Sequence, residues 1–240
     1  MEPRFLPAGD SAVVVEFGNE VDRAISDAVL GLSARVRAAR TRGVRETVPT
    51  YRSLLVHFDP LVTSMASVVD EIRKLLGQED EARPSATLWR VPACFEPTHA
   101  PDLAEVAERA KLTQDRVVQV LTDTLFHVYM VGFSPGYPYM GDVPPPLDLP
   151  RRTDPRVKVP TGSIAIAVGM IGIYPVESPG GWHLVGTSPI RLFDLRRARP
   201  ALLSPGDKVR FAPVNARDFD DIRERIAADA YQVPNETMTA

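Results

Sequence analysis

Residues 131–168 read VGFSPGYPYMGDVPPPLDLPRRTDPRVKVPTGSIAIAV. Eight prolines fall between positions 134 and 160, and nine of the chain's 15 glycines between 132 and 186. Proline fixes φ and removes an amide donor, while glycine opens backbone regions that other residues avoid. The stretch is therefore a system of fixed turns rather than a disordered tract. Short apolar runs lie around these turns at residues 126–131, 163–168, 171–174, 182–185, 190–193 and 208–212. Short strands punctuated by Gly and Pro describe a small barrel or sandwich. Helices are expected ahead of it over 103–110 and 113–124, and behind it over 218–228; residues 232–240 are expected to fray.

Upstream the rhythm differs. Residues 11–17 (SAVVVEF) are rich in β-formers, and Val21, Ile25, Ala28, Val29, Leu32 and Val36 then recur at helical spacing over 21–40. Residues 44–49 and 54–58 read as two strands joined by a turn. Ser64 caps a second helix whose apolar side is Met65, Val68, Val69, Ile72, Leu75 and Leu76, with Gly77 as its stop. Residues 86–91 are strand-like again. The order βαββαβ is the split, ferredoxin-like pattern. The expected architecture is α+β, with an N-terminal domain over 1–85 and a barrel domain over 86–240.

Composition narrows the function classes. The chain has 240 residues and a formal charge of −3, which gives no reason to expect nucleic acid or an anionic membrane as partner. One cysteine, Cys94, excludes an internal disulfide and fits a reducing compartment. The N-terminal residues lack an apolar leader, and no run approaches a membrane span, so a cytoplasmic protein is expected. No glycine precedes a lysine, so a P-loop is missing; there is no Met-Lys biotin site, and His57, His99, His127 and His183 lack zinc spacing.

Three motifs carry candidate chemistry. Gly132-Phe133-Ser134-Pro135-Gly136 matches the G-x-S-x-G elbow, but the residue after the serine must donate its N–H to an oxyanion. Pro135 has none, so a rigid turn is expected there. Arg151, Arg152, Arg156 and Lys158 put four positive charges in eight residues, on a loop pinned by Pro150, Pro155 and Pro160. Such arginines are either held ready for a carboxylate or phosphate, or paired with local acids. In Ser178-Pro179-Gly180-Gly181-Trp182-His183, consecutive glycine N–H groups are able to form an anion nest, although a tight hairpin is the commoner use of such a turn.

Taken in order, several stretches resemble one family. They are residues 131–139, Pro150-Arg151-Arg152, Pro155-Arg156, residues 159–163, Gly172-Ile173-Tyr174-Pro175, SPGGW at 178–182, Leu192-Phe193-Asp194 and Pro205-Gly206-Asp207. The family is that of the 5-oxoprolinase B-type subunit, also called allophanate hydrolase subunit 1 or KipI. The resemblance implies a ferredoxin-like domain followed by a cyclophilin-like β-barrel. It also implies a C-type (KipA-like) partner subunit, with a third subunit in some complexes, and ATP-dependent opening of a small amide or lactam. ATP is expected with or on the partners. The implied site is shared: Arg151, Arg152 and Arg156 as anion clamps, Gly180 and Gly181 as oxyanion donors, His183 as an acid or base, and Tyr174 and Ser163 beside them. The KipI branch of the resemblance allows a regulator of a histidine kinase instead, or a scaffold without catalysis. Where the family commonly carries a Gln-Thr pair, this chain has Met170-Ile171, and Leu121 stands where a histidine is often found.

Overall fold

The computed structural model describes residues 3–78 and 86–238, which form two compact units divided between those spans. The first contains strands β1 (Arg4–Pro7) and β2 (Ala12–Glu16), helix α1 (Arg23–Ala39), strands β3 (Val44–Pro49) and β4 (Ser53–Phe58), and helix α2 (Met65–Leu76). Its four-stranded sheet runs β1-β2-β4-β3, antiparallel throughout. The Asp22 carboxylate accepts the Ala24 and Ile25 N–H groups at the start of α1, and Ser64 accepts from Ser67 at the start of α2. Apolar side chains at helical spacing meet those at alternate strand positions. Val29, Leu32 and Val36 of α1, with Val68, Ile72 and Leu75 of α2, pack on Val13, Val15, Leu54 and Val56. Leu32 is fully buried, so Leu32→Ala is expected to cost this unit about 3 kcal/mol. Hydrogen exchange at α1 and β4 amides is the check; unchanged protection contradicts it.

The sixth element of the βαββαβ series is not in this sheet. The strand beginning at Ala86 belongs to the second unit, and the free edge of the N-terminal sheet is taken by β1, which the sequence pattern does not single out. Four residues ending in proline carry no alternation to detect, but Pro7 is compatible with an edge position.

The second unit contains β5 (Ala86–Cys94), α3 (Leu103–Ala110), α4 (Gln114–Asp123), β6 (Phe126–Val131), β7 (Pro138–Gly141), β8 (Arg156–Val159), β9 (Ser163–Ala167) and β10 (Met170–Ile173). After these come β11 (Ser178–Gly180), β12 (His183–Thr187), β13 (Lys208–Val214), α5 (Ala216–Ala227) and β14 (Asn235–Met238). Seven strands, in the order β12-β9-β10-β7-β6-β13-β5, close into a barrel through the Thr187–Cys94 pairing. β5 and β13 are parallel; the other neighbours are antiparallel. β14 adds to β5, and β8 and β11 form a separate ribbon. Val91, Phe126, Val128, Met140, Ile164, Ile166, Ile171, Val185 and Phe211 belong to one core cluster, which Val106 of α3 and Leu121 of α4 join. Among the described residues, no helix is long and apolar enough to cross a membrane.

Three expectations change here. Residues 190–193 are not a strand: Ile190 and Leu192 enter the barrel core from a coil, with one isolated bridge between Phe193 and Ala201. Their alternation reflects burial, not a ladder, because the seven strands already close on themselves. β7, β8 and β11 occupy segments whose composition predicts turn, with Pro138 opening β7 and Pro179 lying inside β11. Residues 235–238, expected to fray, are β14.

Candidate functional site

Pro150 to Pro160 carries the arginine cluster, and the structure separates its members by what they face. Asp102, immediately before α3, is the hub. Its buried carboxylate accepts two hydrogen bonds from Arg156, at 2.9 and 2.6 Å, one from Arg152 at 3.3 Å and one from the Leu184 N–H at 2.7 Å. Arg152 also reaches Glu105 at 3.1 Å, and its backbone N–H donates to the Gly181 carbonyl. Burial pushes the Asp102 carboxyl up. The Arg156 hydrogen bonds, the Leu184 N–H and the charges of both arginines outweigh it, leaving the group below its ordinary value. Arg152 and Arg156 are thus the cationic half of an internal latch that fastens the loop to α3 and β12. Arg156 gives both terminal nitrogens to Asp102, whereas Arg152 shares one between Asp102 and Glu105 and keeps its Nε buried, so both side chains are turned into the protein rather than presented as free clamps.

Arg151 is different. It is exposed and makes no ion pair among the described residues. Its charge reaches the phenols of Tyr139 and Tyr174. These belong to an aromatic cluster in which Tyr137 lies 4.8 Å from Tyr139, 5.1 Å from Tyr174 and 6.3 Å from Trp182 between ring centroids. The contacts to Tyr174 and Trp182 are edge-to-face, the favoured geometry for aromatic pairs. Burial raises the Tyr174 phenol, partly offset by a hydrogen bond from Tyr137 and by the Arg151 charge; burial also raises Tyr139. Both phenols therefore keep their protons at neutral pH. Tyr137, Tyr174 and Trp182 are buried and Tyr139 half-buried, so Arg151 and Tyr139 are the groups of this arrangement that reach the surface, backed by the other rings.

Gly180 and Gly181 do not form a nest. Neither adopts the left-handed conformation a nest needs; Gly180 lies in β11 opposite Arg156. Glycine stands at 180 because the Tyr174 hydroxyl occupies the space a Cβ would take. His183 is fully buried; its Nε2–H donates to the Pro150 carbonyl at 3.0 Å, and among the described residues its buried Nδ1 has no hydrogen-bond partner. It holds the start of the arginine loop and is not presented as an acid or base. Ser163 is buried at the head of β9, where it lines a cleft together with Arg156. Residues 132–136 form the expected rigid turn, with Phe133 at φ +66° and the strand β7, not a helix, after it. Met170 and Ile171 are both buried in β10, and Leu121 is fully buried in the core, so apolar side chains at these positions serve barrel packing.

Asp102, Tyr137 and Tyr139 are site residues that sequence reasoning misses. Asp102 follows Pro101 and reads as an ordinary helix opener, with nothing local to tie it to arginines some 50 residues on. The tyrosines carry a signal, three aromatics in seven residues from Phe133 to Tyr139, but the turn chemistry of the same stretch masks it.

Residues 3–203 match the carboxyltransferase domain, subdomain C and D. The B-type subunit of 5-oxoprolinase from Bacillus subtilis (strain 168) is 30% identical over 227 residues, covering 90% of this chain and 95% of that protein. A urea amidolyase of Saccharomyces cerevisiae is 27% identical over 271 residues, covering 95% of this chain but 14% of that protein. The crystal structure of TTHA0988 superposes with a TM-score of 0.76 at 35% identity, over 85% of this chain; the chain spans 40% of TTHA0988.

Proposed function

The chain belongs to the family of 5-oxoprolinase B-type subunits, within the carboxyltransferase domain of subdomains C and D, and from that membership we propose that it is the B-type subunit of an ATP-dependent amidohydrolase complex. It contributes half of a site for a small cyclic or linear amide, completed by a C-type subunit. The observation that carries the reading is Arg151, an exposed and unpaired cation beside aromatic rings that are otherwise covered. Such a group is suited to an oxygen on which negative charge develops when an amide carbonyl becomes tetrahedral. Tyr139 offers a phenol and a ring edge to the same ligand. With one unpaired cation there and no nest at Gly180-Gly181, the residues around Arg151 do not fit a triphosphate, and the reading leaves ATP with the partner subunits. The same membership carries a cyclophilin-like identity for the barrel, supported by its seven-strand closure. It carries a ferredoxin-like one for the N-terminal unit, supported by the β1-β2-β4-β3 order with two helices.

The test is co-expression with a C-type subunit and assay of substrate-dependent ATP hydrolysis on 5-oxoproline, allophanate and urea. Arg151→Ala is expected to lower kcat/KM of the assembled complex about 100-fold, with the assembly itself intact by size-exclusion chromatography. Full activity in that variant, or turnover by this chain alone, sinks the shared-site reading.

A further inference from the structure

The second unit holds a concavity of about 770 Å³, the cleft lined by Ser163 and Arg156, which shares no lining residue with the aromatic cluster. A volume of this order suits a small-molecule ligand. Among the described residues four cations line it, Arg156, Lys158, Arg191 and Arg223, and no aspartate or glutamate does. Each cation is braced by an acid outside the lining. Asp102 holds Arg156 and Glu177 holds Lys158 at 3.3 Å, while Asp194 holds Arg191 at 3.0 Å and Asp220 holds Arg223 at 2.9 Å. The cations thus belong to the lining while the acids that pair with them do not. A guanidinium carries five N–H donors and an ammonium three, so Arg191, Arg223 and Lys158 retain donors beyond those their acids take.

The remaining surface is of two kinds. Ser163 and Ser188, both buried, add hydroxyls to the cationic side. Phe219 of α5 supplies an aromatic wall, with the His99 ring edge-on at 4.6 Å and the Arg223 guanidinium over it at 5.9 Å, and Ile226 continues the apolar face further along the helix. A concavity with several cations, hydroxyl donors and an apolar wall matches an anion borne on an apolar body. Forked guanidinium donors and more than one positive charge favour a dianion with three terminal oxygens over a single carboxylate.

We infer that this cleft binds a small organic phosphate, its phosphoryl group among Arg191, Arg223 and Lys158 and its apolar portion against Phe219 and Ile226. The site is independent of the one around Arg151 and does not rest on the amidohydrolase reading.

Titration calorimetry of the full chain with phenyl phosphate, inorganic phosphate and benzoate at low ionic strength tests it. Phenyl phosphate is expected to bind about tenfold more tightly than inorganic phosphate, the ring burying apolar area, and about tenfold more tightly than benzoate. An Arg191→Gln/Arg223→Gln double variant is expected to weaken phenyl phosphate at least tenfold. Lys158→Gln, at a side chain 76% exposed and so without consequence for folding, is expected to weaken it about threefold. Arg151→Ala is expected to leave it unchanged. Equal binding of benzoate, no gain over inorganic phosphate, full affinity in the charge variants, or loss of affinity in Arg151→Ala each overturns the proposal. Because the titration needs neither partner nor turnover, its failure is separable from failure of the activity assay.

Discussion

Asp102→Ala is expected to destabilise the second unit by about 3 kcal/mol, the cost of leaving buried charge without its partner. Arg152 and Arg156 are 23% and 26% exposed, so both guanidiniums would lose a carboxylate while still largely sheltered from water. The buried Leu184 N–H would lose its acceptor as well. Asp102→Asn keeps an oxygen for Leu184 and removes only the charge, so it is expected to cost less than the alanine. Both tryptophans, Trp89 and Trp182, lie in the second unit. Urea denaturation followed by tryptophan fluorescence therefore reports this unit alone. A midpoint for Asp102→Ala indistinguishable from the unmodified chain contradicts the latch.

The same group sets a pH dependence. Its folded value is held below the ordinary carboxylate value, so the stabilisation is complete above the unfolded value of about 4. It is lost as pH falls from there through the lower, folded value. Acid unfolding of the second unit should accordingly steepen below about pH 4, and Asp102→Asn should flatten that limb. The flattening is partial, because Asp194 and Asp229 are also held low by Arg196.

Gly162→Ala is the second large effect, on the order of 3 kcal/mol or more in the same unit. Gly162 has φ +84°, which L side chains rarely adopt, and a Cβ there would collide with the Ser188 carbonyl oxygen. The backbone has little freedom to yield. The Gly162 N–H donates to the Tyr174 carbonyl at 2.7 Å, and the Gly162 carbonyl accepts from the Ser188 N–H at 2.8 Å. Gly9 provides the contrast: it has φ +68° but open space around the missing Cβ, so Gly9→Ala is expected to cost only about 1 kcal/mol. If Gly162→Ala costs no more than that, the collision is relieved by movement and the turn is softer than described. Ser163 and Ser188 both line the cationic cleft, so the substitution should also weaken phenyl phosphate.

Local physics makes much of the fold legible. Helices α1 and α2 follow from apolar spacing, α2 also from Ser64 as its cap, and β2, β4, β6, β9 and β13 follow from runs of β-formers, whereas the Asp22 cap that starts α1 is seen only in the structure. Proline misleads in a consistent way. Pro138 is tolerated as the first residue of β7 and Pro179 within the short β8–β11 ribbon, whereas the apolar run at 190–193, which looks like a strand, finds no open edge to join. The strand beginning at Ala86 has the expected local character but other neighbours, since pairing is chosen between distant segments.

The site divides the same way. Residue types along 150–160 and 178–183 mark the region, and prolines mark the loop as fixed. Residue type alone does not distinguish Arg151 from Arg152 and Arg156, or an imidazole facing solvent from one holding a carbonyl. For the arginines that distinction comes from Asp102, which lies 54 residues before Arg156 and 82 before Leu184. The sequence by itself determined where the turns are rigid, where charge is concentrated and which elements are amphipathic, because these depend on neighbours within a few residues. Only the tertiary structure decided which charge is left over, because a guanidinium is neutralised by whichever carboxylate the closed barrel brings within about 3 Å of it.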